Sequence, residues 1–140
     1  MKSIFRSILI VTLACLCVFS LVSCGNAIKS DEAKEFINDF FDALVDEDYE
    51  KAEGYLHPDR PADLESFFLD VEKEADIDFQ EGIEIEKYTG FHSSIYDSTV
   101  DGSAFELTMR TKVGDTEVIF TIEIVKNDSG YGIYNLDLDT

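Results

Sequence analysis

Apolar residues recur along the chain with two different spacings, and the spacing changes at Gly82. Before that point the spacing is helical. Ala33, Phe36, Ile37, Phe40, Phe41, Leu44 and Val45 fall three, one, three, one, three and one apart, which puts them on one side of a helix. Lys34, Glu35, Asn38, Asp39 and Asp42 take the other side. Ser30 is the expected N-cap, and Asp31 and Glu32 follow where negative charge suits the helix dipole. Burying the six large residues of this face is worth on the order of 10–15 kcal/mol, an upper figure, so the face reads as core. Asp48 is placed to cap a second, short helix with Tyr49, Ala52, Tyr55 and Leu56 on one face, stopped by His57-Pro58. A third helix is expected from Pro61, with Leu64, Phe67, Phe68 and Val71 inward, ending before Asp76.

After Gly82 the period becomes two. Ile83 and Ile85 alternate with Glu84 and Glu86, and Gly90 predicts a bulge or bend before residues 91–96. Asp101-Gly102 signals a turn. Phe105, Leu107, Met109, Thr111 and Val113 then alternate with polar residues. Gly114-Asp115 predicts a tight hairpin into Glu117–Lys126, a run of Val, Ile, Thr and Phe that suits a central strand. Asn127-Asp128-Ser129-Gly130 turns the chain into a last strand over Tyr131–Leu138. Loops this short require antiparallel neighbours. Helices followed by strands give the α+β class: helices packed on one face of a curved, cone-like antiparallel sheet of about four strands.

One apolar run fits neither spacing. Ile8 to Phe19 is continuous, is preceded by Lys2 and Arg6, and leads into Leu21-Val22-Ser23-Cys24. Basic residues, a short apolar stretch and small residues at the cut make a secretory signal. Leu-Val-Ser ahead of a cysteine resembles the lipobox of bacterial lipoproteins, which implies cleavage before Cys24 and a lipid on its side chain. An uncleaved membrane anchor and a plain secretory cut are the alternatives; Ile8 to Val22 falls somewhat short of the roughly 20 residues a membrane helix needs, and Ser20, Ser23 and Gly25 interrupt its end. On this reading residues 1–23 are signal peptide, 24–30 a lipidated terminus and short linker, and 31–140 one α+β domain. The implied location is the outer face of the bacterial cell membrane, with the membrane itself a partner through Cys24.

Charge then narrows the partners. The chain carries 30 acidic and 11 basic residues, a net −19. A chain cleaved before Cys24 would hold nine basic residues against the same thirty acids, a net −21. Nucleic acid is an unfavourable partner, because phosphate binding rests on Lys and Arg. Basic protein surfaces and cations are favourable, and the charge also keeps an exported domain soluble. Of three cysteines, Cys15 and Cys17 lie in the signal, so the mature chain has no pair for a disulfide and no cysteine metal cluster.

Candidate chemistry is sparse. The chain has two histidines, His57 and His92. His57 precedes a proline at a helix end and reads as a surface or capping residue. His92, near Tyr88, Phe91 and Tyr96, would form an acid–base or ligand-orienting group with Tyr96 and Asp97 if that strand lined a cavity; otherwise it is an exposed strand histidine beside Ser93 and Ser94. Asp46-Glu47-Asp48 reads as a solvated corner and cap rather than a cation site. No zinc, calcium-loop, serine-nucleophile or phosphate-loop motif occurs. The sequence therefore predicts no catalytic set, metal or cofactor.

Phe40-Phe41-Asp42-Ala43-Leu44, Asp48-Tyr49-Glu50-Lys51-Ala52, Tyr55-Leu56-His57-Pro58 and the stretch Val125 to Leu136 together resemble nuclear transport factor 2-like domains of bacterial lipoproteins. The last hairpin of that family commonly carries a tryptophan; Tyr131 stands here instead. The resemblance implies a cone with a pocket at its wide end, in a family of small isomerases and dehydratases alongside many inactive domains. The leading expectation is a non-enzymatic, membrane-anchored binding or accessory module of the cell envelope, monomeric or homodimeric, taking a small apolar ligand or a basic protein. An acidic interaction domain of inhibitor or immunity type, and a small lyase or isomerase using His92 and Tyr96, are the alternatives.

Overall fold

A computed structural model describes residues 27–97 and 102–140, with side chains left out at 94–97. The helical half comprises α1 (Ser30–Val45), α2 (Tyr49–Glu53), α3 (Leu64–Ala75) and a 3₁₀ turn (Phe79–Glu81). The second half is β1 (Ile83–Asp97), β2 (Gly102–Val113), β3 (Thr116–Asn127) and β4 (Gly130–Asp139). These strands form one curved, open antiparallel sheet in the order β1-β2-β3-β4. The architecture is α+β, helices first and sheet second.

The expected α1 face is the buried one. Ala33, Ile37, Phe40, Phe41, Ala43 and Leu44 are buried, and Phe36 and Val45 are half-buried. The helix begins a residue earlier than expected: Lys29 occupies the N-cap position without a side-chain cap, and its carbonyl accepts from Ala33 N at 2.9 Å. Ser30 is thus already helical. Asp48 caps α2 as expected, accepting from Lys51 N at 3.1 Å.

Two boundaries differ from the sequence reading. The second helix ends at Glu53, not at His57-Pro58; Gly54 closes it, and the chain then runs out to the sheet. The third helix begins at Leu64, not near Pro61, because Asp63 is the stronger cap. Its carboxylate accepts from Ser66 N at 3.0 Å and from Ser66 Oγ at 2.8 Å, and these bonds hold its pKa below the usual carboxylate value.

Along the sheet the expected bulge appears at Gly90, where the β1–β2 register shifts after Tyr88. Gly114, in the left-handed region at φ 58°, makes the hairpin between β2 and β3. The first residue of the expected Asp101-Gly102 turn lies outside the described residues. One face of the sheet packs on the helices through Phe105, Leu107, Met109 and Val113 of β2, Val118, Phe120, Ile122 and Ile124 of β3, and Ile133 of β4. Thr111 sits among them, its hydroxyl donating to Val118 O at 2.9 Å. An aromatic chain fills the space above: Phe41 lies 4.8 Å from Phe120, Phe40 lies 6.4 Å from Phe68, and Phe79 lies 5.2 Å from Phe68.

The opposite face carries Glu106, Thr108, Arg110 and Lys112 of β2 beside Glu117, Ile119, Thr121 and Glu123 of β3. No described helix crosses it. Lys112 pairs with Glu86 at 2.9 Å, which raises the lysine pKa, and Arg110 pairs with Glu117 at 3.3 Å.

Candidate functional site

The segment after α2 joins the edge of the sheet. His57 N donates to Ile133 O and Ile133 N donates to Tyr55 O, both at 2.8 Å, so Leu56 bridges β4 in parallel. The approach is close enough that a Cβ on Gly132 would lie 2.6 Å from His57 N; only glycine fits there.

His57 is fully buried, which corrects the surface reading. Asp59 N donates to its Nδ1 at 3.1 Å, so Nδ1 is an acceptor and the proton sits on Nε2. Nε2 then donates to Asn127 Oδ1 at 3.0 Å. The same oxygen accepts from Ser129 N and Gly130 N, at 2.9 and 3.2 Å. The imidazole therefore clasps the loop after α2 to the β3–β4 turn. Tyr134 packs edge-on against it at 5.4 Å, and the Arg60 guanidinium lies over the Tyr134 ring, 4.5 Å from its centroid. His57 does not cap the helix either, since the helix closes at Gly54, and its burial left no sequence signal because Asn127 is 70 residues away.

Beside this clasp runs a cleft of about 410 Å³ between β4 and the start of α3. Leu56, Leu64, Phe67, Ile133 and Leu136 supply its apolar lining, and Arg60 and Asp63 stand among its polar residues. Phe67 was expected in the core, yet it is 39 % exposed, because the cleft leaves its ring uncovered. Two further clefts are acidic: one holds Glu47, Asp48, Glu50 and Glu65 beside Leu69, the other Asp76, Asp78, Glu81 and Asp115. Among the described residues no group of three or more His, Cys, Asp or Glu side chains is arranged to hold a metal ion.

Of the sequence-derived candidates, His92 alone has a described side chain. His92 is exposed on the outer face of β1, paired across to Glu106. It does not line any of the three clefts. Tyr96 belongs to β1, but its side chain is outside the described set, and Cys24 is outside it too. On the inner face near His92, Lys34 reaches over Tyr88 and Phe91 at 4.7 and 5.3 Å, and burial raises the Tyr88 pKa. No helix among the described residues is long and apolar enough to cross a membrane.

No family model, curated protein or solved structure matches this chain.

Proposed function

We propose that this chain is a lipid-anchored extracytoplasmic lipoprotein whose nuclear transport factor 2-like domain acts as a non-enzymatic binding or accessory module of the cell envelope. The observation that carries the reading is Leu21-Val22-Ser23-Cys24 behind a basic and apolar leader. Helices packed on a curved antiparallel sheet are the architecture the family resemblance implies. Phe40, Phe68, Phe79 and Phe120 are buried and pack in sequence between the helices and the sheet. That packing, with His92 exposed on the outer face, weighs against the isomerase or lyase reading.

A specific observation favours protein partners over a small ligand. On the sheet face that no described helix covers, Glu106 and, at its β4 border, Asp137 and Asp139 are exposed and open to a basic surface, while Arg110 and Lys112 of the same face are already paired with acids. The anchoring is tested by metabolic labelling with a fatty acid and membrane fractionation of the parent and of Cys24→Ala. The parent should take up label and pellet with membranes, and the variant should do neither. Label retained by Cys24→Ala would remove the lipoprotein assignment.

A further inference from the structure

The two edges of the sheet differ in a way that bears on what they can bind. At β1 the register against β2 slips three times, between Ile85 and Lys87, Tyr88 and Gly90, and Ile95 and Asp97. Bulges twist an edge away from further pairing, and a lysine on the edge adds to the effect. The β4 edge slips once, at Tyr134, between Ile133 and Asn135. From Asn135 to Asp139 its register with β3 is regular.

That edge is already used as a template over a short length. Tyr55 to His57 pairs with it at Ile133, and the chain then leaves at Pro58. From Tyr134 onward no described backbone segment other than β3 hydrogen-bonds to β4. The cleft opens along this same stretch, with Leu136 and Phe67 on its apolar wall.

Resting on the reading of the chain as a protein-binding module, the geometry points to the β4 edge at Asn135–Asp139 as the docking site of an extended, basic segment of a partner protein, added as a further strand. Alternate side chains of an added strand face opposite sides of the sheet. On the outer side they meet Asn135, Asp137 and Asp139, all exposed, and lysine or arginine is the complement. On the inner side they meet Leu136 and Leu138, both half-buried, with Phe67 beyond, and an apolar residue is the complement. The segment recognised alternates basic and apolar residues. Arg60 stands at the Tyr134 end, so the acidic stretch begins past it. A second copy of this chain is a poor occupant, because two β4 edges would bring Asp137 and Asp139 against one another.

The test uses the full lipidated chain in detergent micelles, with a blocked hexapeptide of alternating lysine and valine as the probe. Hydrogen–deuterium exchange followed by mass spectrometry should show slowed exchange over residues 134–139. The same peptide methylated on every backbone nitrogen keeps its charge but has no N–H to add to a sheet, and it should bind at least tenfold more weakly. A glutamate-for-lysine peptide should leave exchange unchanged. The double variant Asp137→Lys with Asp139→Lys, both at exposed positions, should lose at least tenfold in affinity. Equal binding by the methylated peptide, or slowed exchange at β1 instead of β4, would overturn the proposal. So would β4 protection that depends on protein concentration without peptide, which means self-pairing. Loss of fatty-acid label from the parent chain strikes the anchoring alone, whereas failure of the peptide arms strikes the docking site alone.

Discussion

At the scale of single residues, His57 shows how a histidine can be structural and fully satisfied. One ring nitrogen accepts from Asp59 N, and the other donates to the oxygen that organises the β3–β4 turn. Replacing it removes a buried ring and a loop-to-turn bond together. His57→Ala should therefore lose about 2–4 kcal/mol in urea unfolding, the range for large buried deletions that also break a hydrogen bond. A loss under ~0.5 kcal/mol would mean that the clasp contributes little. No neighbour in sequence discloses this role. His57-Pro58 carries only a helix-stop signal, and the group that fixes the ring arrives from the far end of the chain. His92 is the reverse case: its sequence neighbours suggested a site, while its strand position sets it across from Glu106 on an open face.

At the scale of elements, periodicity was the reliable guide. The α1 spacing and the alternation from Phe105 to Val113 were both legible, because each is repeated over several turns or pairs and each buries one face. Boundaries were less legible where two local signals competed. Pro61 and Asp63 both favour a helix start, and the caps from Asp63 to Ser66 decide it. The Leu56 bridge to β4 had no signal at all, since a one-residue pairing has no period. The short loops implied a last strand at the sheet edge, but nothing in the sequence showed that the segment after α2 would pair with it only at Ile133 and leave Asn135–Asp139 without a described partner on that side. The outer face holds two like-charge pairs among the described residues: Lys87 lies across from Arg110, and Glu106 lies directly across from Glu123, whose carboxylate also accepts from the Asn135 amide. Like charges so placed weaken a sheet. Glu106→Lys should raise stability by roughly 0.2–1 kcal/mol, read as a shift in the urea midpoint, and a fall in midpoint would show that the two carboxylates are kept apart by their rotamers.

At the scale of the whole molecule, thirty acidic residues against eleven basic ones leave a compact chain that repels itself. Screening shortens from about 30 Å at 0.01 M salt to about 3 Å at 1 M. The thermal midpoint should climb across that range of sodium chloride. A midpoint that falls would mean the ion pairs Arg110–Glu117 and Lys112–Glu86 outweigh the general repulsion. The bridge between Leu56 and Ile133 has a different kind of consequence, one of timing. During synthesis the helical segment is made before its partner strand, so the Leu56 pairing cannot form until β4 exists. Long-separated pairings slow folding, because chain entropy is lost before contact is gained. The segment from Tyr55 to His57 therefore gains its partner only once β4 has been made. Removing that strand would cost the molecule both its sheet edge and the attachment that orients the loop after α2.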